Sequence, residues 1–534
     1  MAAESSAAAA PYVVRAQLPE LTPEFLARYY PRGVGVVHVE LLHRHGERTP
    51  IAHRVPELMP KNWNFCALGN QLQKDFLAAV GLHVSGAATV AGERREQDGK
   101  RRRQIFALDS SRDGASVLGA NGATAQHADD RSRRTSATCD YGQLTDLGRQ
   151  SMTGLGAHVR ALYVDALGFL PPTLAPGRIA DVLRLRATMY TRTFESLQHA
   201  LGGLYPHLPV GAPVFRVAVR PPERDNMFPD FGCENMSRMF AQLNAMATKR
   251  HAPELAQLRE DIGKIPALQS FCETDLKTGG GRMAISLMDV LGTMRAHGLP
   301  LPDAINDAFL ARLERLAAVE FLASGWHSVA LTRMQLGRLV NELAENVAHA
   351  VEADRGNARD TQPRLGIRSG HDTSLAGLLA MFGHDASQPT GQMPADFVWP
   401  PFASSIRVEL LKDTTTPSPA IQPAWEHEQA DHADNRAQIP PDRRARPVGV
   451  ADSLYRWAPG VGPSAQAHPR ATHGYYVRVW YNDRALRLPT CRDPGAHHAG
   501  LGPSACTLDG FFKQIARFAA SDDEARRECQ AATE

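Results

Sequence analysis

The feature that most constrains this chain is an apolar, β-branched run that stops on a knot of charge. "VGVVHVELL", residues 34–42, has the near-continuous hydrophobicity of a strand covered on both faces, and His43, Arg44, His45 and Arg48 follow it at once. A buried strand cannot hold four such groups, so they belong at its carboxyl end, where loops gather. The pattern recurs twice. "IADVLRLR" at 179–186 reads as a second strand ending on Arg186, with helical spacing behind it in "TFESLQHALGGL". "RLGIRS" at 364–369 reads as a third, leading into His371, Asp372 and the helical "TSLAGLLAMFG". Apolar strands alternating with helices predict an α/β fold, a mostly parallel sheet flanked by helices. "SSIRVELL" and "GYYVRVWYN" read as two further strands that pair once the stretch between them is set aside.

A chain of 534 residues is longer than one hydrophobic core usually organises. Residues 1–33 read as an N-terminal extension, 34–234 as the first part of the core, 235–350 as an inserted α-helical cap domain, and 351–534 as the second part of the core. The cap is read from spacing: Leu336, Leu339, Val340, Leu343 and Val347 fall on one helical face, and neighbouring segments repeat the pattern. Residues 86–140 (Gly/Ala/Ser-rich with basic clumps) and 412–472 (Pro, Asp, Thr and His with little apolar period) read as mobile insertions.

The net charge of +2 gives no global field for nucleic acid, and the arginine-rich 94–103 stretch lacks interleaved aromatics for stacking on bases. No nucleic-acid partner is expected. No run nears the roughly 18 apolar residues of a membrane span, so no transmembrane segment is expected. The opening "MAAESSAAAAPYVVR" lacks the basic and leucine-rich regions of a secretory signal. The expectation is a cytoplasmic protein, a mitochondrial one being the alternative, with the seven cysteines free. Cys491 and Cys506 flank a loop that reads as plain surface, a disulfide or a metal site through His497 and His498 being the other options. "HEQADH" at 427–432 spaces its histidines off one helical face, so no metal is expected there.

If the three junctions lie side by side, guanidiniums, two imidazoles and one carboxylate converge at the sheet's carboxyl edge, where α/β folds bind ligands. Arginines crowded there repel one another unless an anion joins them, and their planar donors fit phosphate oxygens. Nearby positive charge keeps a histidine neutral and nucleophilic in mild acid. Such a ring can attack phosphorus while the arginines stabilise the charge of the transition state. Asp372, its pKa raised by a bound phosphate dianion, would then protonate the leaving oxygen.

These residues carry a resemblance. "RHGERTP" fits the RHGxRxP signature of the histidine acid phosphatases, "GHDTSL" is similar to their second motif, and "LRATMYTRTFES" to their RSTxxxRxxxS stretch, with Ala187 in place of the usual serine. The tail, from "WPPFASSIRVELL" to "CTLDGFFKQIARF", resembles the group that acts on lysophosphatidic acid. The resemblance implies a phosphoglycerate mutase-like core. It implies His45 as the nucleophile, Arg44, Arg48, Arg186 and His371 as phosphate ligands, and Asp372 as proton donor. No cofactor or metal is implied, and the partner is a small-molecule phosphate monoester. The alternatives are a phosphomutase of the same fold and a non-catalytic phosphate or phospholipid-binding module. Arg192 is open between an ion pair on its helix and the site. His38 is expected as a hydrogen-bonded core residue, His43 as a flank, and Asp225 and Asn226 as turn residues, with the pocket mouth as their other reading.

Overall fold

The computed structural model describes residues 13, 15–72, 106–109, 137–175, 177–207, 215–228, 232–277, 282–356, 362–387, 397–415 and 473–530. The basic 94–103 stretch and "HEQADH" lie outside them. Among the described residues ten strands form one sheet: β1 (Val34–Arg44), β2 (Phe106–Asp109), β3 (Leu183–Ala187), β4 (Phe215–Val219), β5 (Leu365–Gly370), β6 (Ser405–Asp413), β7 (Tyr475–Tyr481), β8 (Arg484–Ala485), β9 (His497–His498) and β10 (Gly502–Thr507). Their order is β2-β4-β3-β5-β1-β6-β7-β10-β9, with β8 on β7. From β2 to β1 every pairing is parallel, and from β1 outward every pairing is antiparallel. The sheet is therefore mixed, and its parallel half carries the junctions.

Several boundaries differ from the sequence expectation. Ile179–Val182 is a helical turn that delivers the chain into β3, because strand spacing starts only at Leu183. Within 86–140, Phe106–Asp109 is an edge strand, too short to show a period. The stripe from Leu336 to Val347 lies on the Val329–Asp354 helix and packs against the sheet with Val408, Leu410 and Val477. That helix belongs to the core layer, not the cap. The cap's own core joins Leu258, Leu287, Val290, Leu313 and Leu316 to Val55 and Trp63 of the loop after β1. The opening segment is also part of the fold: Ala16 N–H donates to Phe402 O at 3.0 Å, Arg15 Nε bonds Glu47 at 2.6 Å, and Phe25 stacks at 5.6 Å on Trp480.

The expectation of free cysteines is overturned. Cys66 pairs with Cys139, Cys233 with Cys529 and Cys491 with Cys506, while Cys272 remains a buried thiol. The first two bonds join residues 73 and 296 positions apart, and such pairings leave no trace in local spacing. No helix among the described residues is long and apolar enough to cross a membrane.

Candidate active site

Register builds the site. Arg44 of β1 is level with Gly370 of β5, and Ala187 of β3 with Ser369. The next residues, His45, His371 and Thr188, therefore leave the sheet side by side, tied by His45 N–H to Gly370 O and Thr188 N–H to Ser369 O, both 3.1 Å. His45, His371, Arg44, Arg48, Arg192 and Asp372 share a cavity of about 270 Å³. The turn after His45 needs Gly46, because a Cβ there would sit 2.4 Å from the carbonyl of Gly148 on the Asp146–Arg160 helix.

His45 Nδ1 is 2.8 Å from the carbonyl oxygen of Gly46. An acceptor there calls for an Nδ1–H donor, which leaves the lone pair on Nε2. Burial, with Arg192, Arg44 and Arg48 around the ring, holds its pKa well below the usual histidine range. The ring stands edge-on to His371 at 5.7 Å. His371 is likewise held neutral by burial and Arg192. Its Nε2 lies 2.9 Å from Thr188 Oγ1. Thr188, the threonine of the same motif, thus meets His371, a contact the sequence did not indicate.

The arginines differ in their surroundings. Arg44 donates to Pro400 O at 2.6 Å, lies 4.2 Å over the Phe402 ring and pairs with Asp372 Oδ2 at 2.8 Å. Arg48 bonds Thr49 O at 2.9 Å and Asp289 Oδ1 at 2.8 Å. Arg192 begins the Thr191–Leu204 helix and stacks 4.4 Å over Tyr190. Among the described residues no carboxylate reaches ion-pair distance of Arg192, the nearby Asp372 and Asp289 pairing with Arg44, Arg48 and Arg54 instead, and its buried Nε has no partner. Burial and Arg48 pull its pKa down to about 10.

Arg186 is not placed where the resemblance puts it. Its guanidinium pairs with Asp225 Oδ1 at 2.8 Å and Glu342 Oε2 at 3.0 Å, and it does not line the cavity. The physical reason is strand alternation: Arg186 is level with Arg368, and both turn toward Glu342 on the Val329–Asp354 helix. Arg192 stands at the carboxyl edge instead. Asp225 and Asn226 serve this buried network rather than the cavity mouth, Asn226 Nδ2 donating to Glu342 at 2.9 Å. His38 is a buried core residue bonded to Pro363 O and Glu40, both at 2.9 Å. His43 is buried on Arg44 O, and burial lowers its pKa to about 4.

Asp372 opens the Asp372–Gly383 helix. Its Oδ2 takes Arg44 and Trp399 Nε1–H (3.0 Å), and its Oδ1 the N–H of Thr373 (2.9 Å). Burial alone would raise its pKa, but Arg44 and Trp399 outweigh it and hold the carboxyl below its ordinary value. In this structure it is thus a carboxylate paired with Arg44.

The two cations make separable predictions. Arg192→Ala should lower kcat/KM by about 10²-fold or more while changing the melting temperature little, because it removes an anion ligand. Arg186→Ala should instead cost about 3–5 kcal/mol of stability by stranding buried Asp225. Activity loss with an unchanged melting curve for Arg186→Ala would reverse the assignment.

This fold and site define a histidine phosphatase: the chain belongs to the histidine phosphatase superfamily (branch 2), whose profile matches residues 36–425. It is a phosphatase enzyme. A probable acid phosphatase of Schizosaccharomyces pombe is 26% identical over 471 residues, 87% of this chain and 88% of that one. Lysophosphatidic acid phosphatase type 6 of Pongo abelii is 25% identical over 282 residues, 51% of this chain and 57% of that one. Among solved structures, the apo phytase of Hafnia alvei superposes with a TM-score of 0.48 at 15% identity, covering 94% of this chain and all of that one.

Proposed function

We propose that this protein is an acid phosphomonoesterase that works through phosphohistidine. The observation that carries this reading is a neutral His45, its lone pair on Nε2, beside a buried Arg192 that has no carboxylate partner among the described residues. A phosphate dianion supplies the negative charge that the cluster of Arg192, Arg44 and Arg48 needs. Nε2 attacks phosphorus, the P–O bond to the alcohol breaks, and Asp372 gives its proton to the leaving oxygen. The Asp372 carboxylate then takes a proton from water as that water attacks phosphorus, and the P–Nε2 bond breaks to release phosphate and restore the lone pair on Nε2. Thr188 O–H donates to Thr193 Oγ1 at 3.0 Å, so in its 2.9 Å contact with His371 the ring's Nε2–H donates and Thr188 accepts, which fixes the tilt of His371 beside the phosphate.

The cavity wall favours a monophosphate with an apolar tail. Val13, Phe228, Ile285, Met288 and Phe321 line it together with the cations, which suits lysophosphatidic acid or a similar monoester. Three disulfides favour an oxidising compartment over the cytoplasm expected from sequence, where such bonds are rare. Thiol titration of purified, unfolded, unreduced protein should find Cys272 alone; seven thiols would restore the cytoplasmic reading.

Mixing enzyme with labelled p-nitrophenyl phosphate and quenching within one turnover tests the mechanism. The expected result is a burst of nitrophenol with acid-labile, alkali-stable label on the protein. Nitrophenol and phosphate released in step, with no label retained, would rule the intermediate out.

A further inference from the structure

The proposed reaction leaves one side chain at the phosphate clamp unused. Asp289 comes from the cap, on the Met283–Ala296 helix, yet its carboxylate is almost fully covered. Oδ1 accepts from Arg48 at 2.8 Å, Oδ2 accepts the N–H of Ile51 at 2.9 Å, and Arg54 stands 3.8 Å away. An anion has thus been planted one guanidinium from where phosphate would sit. For a site that only needed to gather negative charge, this placement is counterproductive, since it repels the ligand and occupies one of its cations.

Charge balance in the cavity shows what it does. Among the described residues Arg44, Arg48, Arg54, Arg192 and Arg282 face Asp289, Glu314 and Asp372, so five guanidiniums meet three carboxylates. The histidines being neutral, the surplus is two positive charges. A phosphate monoester carries about −1.5 to −2, so one such group cancels most of the surplus; even with Asp372 protonated for catalysis only about one positive charge remains, too little to balance a second dianion. Without Asp289 the surplus is three, and Arg48 and Arg54 are both released toward the cavity mouth. The cap wall beside Asp289 is apolar at Ile285 and Met288, and the cation it carries, Arg282, is already in the sum.

We infer that Asp289 is a specificity-determining residue, which rejects substrates carrying a second phosphate near the first and confines the site to monophosphates. This rests on the phosphatase reading of the same cavity, so the test is built to separate the two. Wild type, Asp289→Asn and Ser286→Asp are titrated calorimetrically with orthophosphate and with pyrophosphate. Turnover is measured on p-nitrophenyl phosphate and myo-inositol hexakisphosphate. Ser286 lines the same cavity one helical turn earlier, so an acid there adds to the repulsion. Asp289→Asn should shift the affinity ratio toward pyrophosphate by roughly tenfold or more, and kcat/KM in the same sense. Ser286→Asp should shift both the opposite way, and it decides the matter alone if Asp289→Asn melts early. Equal changes for both anions in every variant would overturn the proposal, because a merely structural Asp289 cannot tell one phosphate from two. Selective binding without hydrolysis in wild type would remove the phosphatase reading and leave Asp289's role standing.

Discussion

His45→Ala should lower kcat on p-nitrophenyl phosphate by about 10⁴-fold or more and abolish the trapped label, with the fold intact. The nucleophile forms the bond to phosphorus, so no neighbour replaces it. His371, 5.7 Å away between ring centres, has its Nε2 on Thr188. Binding of orthophosphate should survive, because Arg44, Arg48 and Arg192 remain. A variant with wild-type turnover, or one that loses phosphate affinity and catalysis in equal measure, would move the chemistry off His45.

Asp372→Asn should cost most where the leaving group is poor. Nitrophenolate leaves without a proton, so the loss on p-nitrophenyl phosphate should be modest, whereas an alkyl monoester should lose about 10²–10⁴-fold, the usual reach of general acid catalysis. The pH dependence follows from the same group. In the free enzyme Arg44 and Trp399 hold Asp372 below its ordinary value, so its proton is lost, and kcat/KM declines, as pH rises through the acid range. In the complex the phosphate dianion opposes that loss, so the falling limb of kcat should lie at higher pH than that of kcat/KM. His45, held neutral well below the usual histidine range, leaves the nucleophile available at acid pH. Identical limbs for kcat and kcat/KM, or equal losses on both esters, would exclude Asp372 as the donor.

Much of the site is legible in the sequence, for a local reason. Arg44, His45 and Arg48 are separated by at most four positions and leave one strand end, and His371 and Asp372 leave another. The α/β pattern that exposes such ends is written in strands and helices of ordinary period. The helix at 329–354 is equally plain as a helix, but the layer it joins is not. Amphipathicity states that a face is buried and is silent about what buries it.

The amino-acid order by itself determined which side chains stand at the carboxyl ends of β1 and β5, because strand, turn and helix there are short-range consequences of hydrophobic period and a required glycine. Only the tertiary structure decided that Arg192 and not Arg186 enters the cavity, that Thr188 meets His371, that Asp289 reaches Arg48 across 241 positions, and which cysteines pair. Those outcomes depend on inter-strand register and on how the cap seats against the core. Both are set by packing summed over the whole molecule, so no window of neighbouring residues contains them.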